Sequence, residues 1–91
     1  MDINNYSYSV MSDSENVIAE YSGEYAAPVV AFTLVCDCFG NHYYFVQDII
    51  SGTCEEFPFS AIDPYTERPA YERAARLYNS LVPDACAVPL F

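Results

Sequence analysis

The sequence predicts an α+β domain: an antiparallel sheet of four or five strands with one C-terminal amphipathic helix packed on one face. Three observations lead there. Two β-rich runs, 29–38 and 42–50, flank the tight-turn dipeptide Gly40-Asn41. A segment at about 67–82 carries apolar residues with a 3.6-residue period and stops at Pro83. The chain of 91 residues is the length of one domain, here spanning 1–91. A domain of this size buries roughly 60–65% of the surface its unfolded chain exposes, enough for a single modest core.

Taken in order, residues 5–11 (NYSYSVM) alternate and carry β-favouring tyrosines, so they read as a strand. Ser12 to Asn16 is a polar break. Val17 to Tyr21 allows two readings. Ser12 and Glu15 have capping-box spacing, which suits a helix ended by Gly23. The β-rich composition and the Ser22-Gly23 turn signal favour a strand. In the run 29–38, Val30, Phe32, Leu34, Cys36 and Cys38 share one face and Ala31, Thr33, Val35 and Asp37 the other. Both faces are apolar near the middle, as in a central strand. In the next run Tyr44, Val46 and Asp48 share one face, and Tyr43, Phe45 and Gln47 the other. A two-residue loop would pair Cys38 with Tyr43, and a bulged loop would shift that by one.

Ser51-Gly52 marks another turn. Residues 53–59 (TCEEFPF) read as an edge strand, because Pro58 lacks the N–H that a central ladder needs. Glu55 and Glu56 would guard that edge against pairing with other chains. Thr66 is placed to cap the helix, with Pro69 in its first turn. Ala70, Tyr71, Ala74, Ala75, Leu77, Tyr78, Leu81 and Val82 form its apolar arc. The apolar tail 84–91 docks on this core or on a second subunit, which leaves a homodimer open.

Charge is the unusual feature. There are 13 acids, three arginines and no lysine, for a net charge of −10. Arg68, Arg73 and Arg76 lie within nine residues of one another. Residues 1–66 hold ten acids and no Lys or Arg, so the whole net charge sits on the sheet region. Such charge destabilises a compact body by self-repulsion, which suggests that the field serves a basic partner beyond solubility. Without a basic patch, direct binding to DNA, RNA or an anionic membrane is disfavoured. The acidic, polar start MDINNYSYS reads as neither a signal peptide nor a membrane span, so a cytoplasmic protein is expected.

The chemistry-bearing residues are sparse. Cys36, Cys38, Cys54 and Cys86 lack the repeated close spacing of a zinc site and are expected as reduced core cysteines. His42 is the single histidine, with neither an orienting group nor an oxyanion site signalled for a Cys–His pair. Adjacent Glu55 and Glu56 point to opposite sides of a strand and cannot act as an acid–base dyad. No catalytic residue, metal or cofactor is expected, and the chain reads as a non-enzyme.

Short length, a polar N-terminus, a lysine-free acidic sheet and one C-terminal helix (TERPAYERAARLYNSLV) resemble small acidic phage-encoded inhibitors, the class of anti-CRISPR proteins and other DNA mimics. The resemblance is compositional, covers the whole chain and matches no motif residue by residue. It implies binding to a CRISPR effector, or another nucleic-acid-binding enzyme, in a host bacterial cytoplasm, and blocking its access to DNA. The acids form no regular i, i+2 row, a departure from literal phosphate mimicry that leaves binding at an allosteric or subunit surface as the alternative. The expected contact residues are Glu20, Glu24, Asp37, Asp48, Glu55 and Glu56, with Tyr43 and Tyr44 as aromatic anchors. A competing reading is a small structural or virion accessory protein that self-associates through tyrosine-rich faces and the apolar tail.

Overall fold

A computed structural model describes residues 14–90. The strand expected over residues 5–11 lies outside the described residues. Four antiparallel strands follow one another in space as in sequence: β1 (Ser14–Tyr21), β2 (Val30–Cys36), β3 (His42–Asp48) and β4 (Thr53–Phe59). One helix, α1 (Glu67–Leu81), crosses a single face of the sheet. The fold is α+β, as the periodicities require.

Residues 17–21 belong to a strand, so the helical reading of that segment fails. β1 carries one extra residue, with the register shifting between Val17 and Ala19. Among the described strands β1 is an edge, and a bulge there discourages pairing with another chain. β4 is the other edge, where Pro58 stands opposite Tyr43 on β3.

The hairpin loop is longer than the Gly-Asn signal suggested. The last β2–β3 pair is Cys36 with His42, so Cys38 belongs to the loop and pairs with nothing in the ladder. Asp37 holds this loop together. One of its carboxylate oxygens accepts from the backbone N–H of Phe39 and of Asn41, each at 2.9 Å, and the other from the Asn41 side chain at 3.0 Å. A short polar side chain that bonds its own loop overrides the two-residue turn.

The helix does not begin on a Thr66 cap. Pro64–Thr66 form a short 3₁₀ turn capped by Asp63, and the Thr66 hydroxyl bonds back to the carbonyls of Asp63 (2.7 Å) and Ser60 (3.2 Å). The apolar arc of α1 packs as its spacing dictates, with Ala70, Ala74, Ala75 and Tyr78 buried. Small residues let the helix axis approach the sheet. Beneath it, Phe32 and Val46 are wholly buried, and Phe32 meets the rings of Tyr71, Tyr78 and Tyr44 at 5.4, 5.8 and 5.9 Å.

The tail docks on the chain's own core. Val88 packs against the core, and its backbone N–H and C=O bond the Asn79 side chain at 2.8 and 3.0 Å. All four cysteines are free thiols, but they are not the core residues expected: Cys36 is half-buried, and Cys38, Cys54 and Cys86 are exposed. Among the described residues, no helix is long and apolar enough to cross a membrane.

Candidate functional site

Strand alternation sorts the expected contact residues. Register places Val30, Phe32, Leu34, Tyr44, Val46, Asp48, Glu55 and Phe57 on the helix side of the sheet. Glu20, Ala31, Thr33, Val35, Tyr43, Phe45 and Glu56 belong to the opposite side.

Two expected contacts are taken up inside the protein. Tyr44 is buried, stacked on Phe59 at 5.2 Å, and its hydroxyl donates to Glu67 at 2.6 Å. Asp48 is buried at the β3–β4 turn, where it accepts from the N–H of Ile50 (3.0 Å) and the hydroxyl of Ser51 (2.9 Å). Both lie on the covered side of the sheet, which an unpaired reading of the acids did not anticipate. The Asp48 carboxyl is held below its ordinary range, chiefly by the Ser51 hydroxyl and then by the neighbouring backbone N–H groups, against the opposing pull of burial. Asp37 is half-exposed but serves its loop, and its carboxyl is likewise lowered, first by the Asn41 side chain.

The remaining acids are free to face outward. Glu20, Glu24, Glu55 and Glu56 are exposed, and none forms an ion pair with a described residue. Arg68 pairs with Glu72 at 3.7 Å on the helix surface. All three arginines belong to α1, and among the described residues none forms an ion pair with Glu20, Glu24, Glu55 or Glu56.

The acids do not gather into one cluster. β1 and β4 are opposite edges, so Glu20 is separated from Glu55 and Glu56 by three inter-strand steps, about 14 Å. Tyr43, half-buried, meets Phe45 edge-on at 6.4 Å between them. Tyr43, Asp37 and Glu56 do converge, on a cleft of about 290 Å³ that also takes in His42 and Pro58. The His42 Nδ1–H donates to the Gly40 carbonyl at 3.0 Å. At the far end of the sheet, Glu24 shares a concavity of about 370 Å³ with Tyr21, Gly23 and Tyr25.

Sequence reasoning missed Tyr25, Ile49 and Ile50, which are about three-fifths exposed. The signal was present: large apolar residues adjoin turn glycines where polar residues are usual. Among the described residues, no group of His, Cys, Asp and Glu could hold a metal ion. No family model, no curated protein and no solved structure matches this chain.

Proposed function

We propose that this protein is an acidic inhibitor that binds a basic, nucleic-acid-binding surface of a partner protein or nucleoprotein. The observation that carries the reading is the set of outward carboxylates, Glu20, Glu24, Glu55 and Glu56, none neutralised by a described residue. Arginines and lysines that grip phosphates also grip carboxylates, Arg with two parallel hydrogen bonds. Opposite charge also speeds association in a salt-dependent way.

The spacing favours occupancy of a surface over imitation of a DNA strand. Carboxylates on two sheet edges about 14 Å apart hold a partner at separate points and follow no phosphate row. The likeness to small phage-encoded inhibitors makes a CRISPR effector in the bacterial cytoplasm the first partner to try, acting through DNA access.

The test is DNA binding by purified CRISPR effector complexes with and without the protein, at low and high salt. Inhibition at low salt should fade as salt rises. Glu20→Lys combined with Glu56→Lys should weaken capture more than tenfold, over about 1.4 kcal/mol. Capture that ignores both salt and the double reversal, with the fold intact, would remove the assignment.

A second reading has its own observation. Phe39, Ile62 and Tyr65 are more than four-fifths exposed at the end of the sheet where α1 begins. Exposed apolar side chains of this size suit self-association. Large ordered assemblies of the isolated chain in light scattering would favour a structural role.

A further inference from the structure

We infer that the end of the sheet built from the β1–β2 loop and the β3–β4 turn is the docking surface, and that it fits a protein surface with an apolar hollow flanked by arginine or lysine. This deepens the proposed function and rests on it for the nature of the partner.

Backbone bonds bring the two connections together. The Val29 N–H donates to the Tyr21 carbonyl at 2.8 Å, and the Val29 carbonyl accepts from the Ile49 N–H at 3.0 Å. Tyr25, Ile49 and Ile50, from the two adjoining connections, are therefore displayed at one end, 59%, 62% and 61% exposed. Glu24 lies in the same loop as Tyr25, and Glu20 is one residue before the end of β1. No Lys or Arg occurs in residues 14–66, so nothing in either connection answers these charges. Apolar side chains bordered by charge are the anatomy of a protein interface, with a tyrosine of the kind that anchors one.

The surface is held in shape before any partner arrives. Gly23 has φ +61°, and a Cβ there would stand 3.0 Å from the Tyr21 hydroxyl, so the ring closes over the turn. The Tyr25 N–H donates to the Ser22 carbonyl at 3.0 Å. Asp48 fixes the other turn from below through Ile50 and Ser51. A rigid surface loses little freedom on binding.

The opposite end of the sheet also shows apolar side chains, but its nearby aspartates are engaged. Asp37 accepts three bonds from its own loop, and Asp63 accepts from the Tyr65 N–H at 3.1 Å. Glu56, the free carboxylate toward that end, lines a cleft with Tyr43 and Pro58 that takes in none of Phe39, Ile62 and Tyr65, whereas Glu20 and Glu24 adjoin the connections that display Tyr25, Ile49 and Ile50. Pairing of charge with apolar side chains therefore favours the Tyr25 end for a basic partner.

The test titrates the isotope-labelled protein with the peptide Ac-Arg-Leu-Arg-Leu-Arg-NH₂ and follows amide shifts by NMR. A second titration uses the same peptide with citrulline replacing arginine. Saturable shifts are expected at Glu20, Glu24, Tyr25, Ile49 and Ile50, with little response to the citrulline peptide. Glu24→Gln and Ile50→Ser should each weaken binding at least about threefold. Both positions are exposed, and amide dispersion verifies that each variant folds. Shifts centred on Phe39, Ile62 and Tyr65, equal binding of the citrulline peptide, or no saturable shift would overturn the inference. Because the peptide is independent of any effector, effector inhibition without peptide binding removes this surface and keeps the function. Peptide binding without effector inhibition does the reverse.

Discussion

The Tyr44 hydroxyl donates to the Glu67 carboxylate at 2.6 Å, tying the middle of β3 to the first residue of α1. Tyr44 also stacks on Phe59, and Tyr71 stands edge-on to it at 5.4 Å. The bond fixes where the helix begins along the sheet, since Thr66 contributes no cap. Tyr44→Phe keeps the ring and removes the bond. It should destabilise the protein by about 1–2 kcal/mol, the range of a partly solvated hydrogen bond to a charged acceptor. Urea denaturation of the two proteins measures the difference.

The same hydroxyl sets an alkaline limit. Burial, then the Glu67 bond and charge, push the Tyr44 ionisation well above its ordinary value, and burial raises Tyr78 as well. A raised folded pKa contributes stability that is fully present below the unfolded value of about 10 and lost as pH rises through the folded one. Tyrosinate absorbance should therefore show Tyr44 and Tyr78 ionising only above the ordinary tyrosine value, together with unfolding. Smooth titration of all nine tyrosines in one step would contradict the assignment.

Much of this architecture was legible in the residues. The period of α1 named the residues that became its buried stripe, Ala70, Ala74, Ala75 and Tyr78, because a helix repeats one face regardless of its partner. Alternation in 42–48 separated Tyr44 from Tyr43 correctly. What alternation does not say is which face the helix covers, so Tyr44 and Asp48 were read as outward when they are inward. The loop at 37–41 was misread because the Asp37 side chain, and not the Gly-Asn pair alone, sets its length. Asn79, on the polar arc, gave no hint that it would clasp Val88, a contact that depends on where the tail returns. Outward acids were legible from composition, whereas their division between two sheet edges required the strand order.

Thr33 shows a local cost. It lies in β2 on the side away from α1, is 8% exposed, and its hydroxyl finds no partner among the described residues. A buried polar group without a partner is penalised by roughly 1–3 kcal/mol. Thr33→Val preserves the branched shape that suits a strand and removes the hydroxyl. It should stabilise the protein by about 1 kcal/mol, read as a higher urea midpoint with an unchanged slope. Destabilisation would mean that the hydroxyl has a partner.

Acid should loosen the turns first. Asp37 and Asp48 both have lowered carboxyl ionisations because hydrogen-bond donors hold the charged form. Such groups stabilise the fold above their unfolded value, about 3.9, and the contribution is lost as pH falls through the lower folded value. The urea midpoint should hold steady down to about pH 4–5 and decline below that. In Asp48→Asn the midpoint should be lower at neutral pH and the acid decline shallower. An identical acid decline in the variant would show that Asp48 does not carry it.

The closeness of α1 to the sheet is the last feature open to direct test. Ala74 is completely buried on the face of the helix that meets a core built on Phe32 and Val46. No larger side chain fits there without moving the helix outward, because close-packed interiors leave no room for added methylenes. Ala74→Leu should therefore destabilise by about 1–3 kcal/mol although leucine is more hydrophobic and nearly as good a helix former. For a domain of this size that is a fall in Tm of roughly 4–8 °C per kcal/mol. Arg73→Ala, one residue away on the exposed arc, should change stability by no more than about 0.5 kcal/mol. Calorimetry on the pair separates packing from helix propensity. If both variants behave alike, the helix is not seated on the sheet through its alanines.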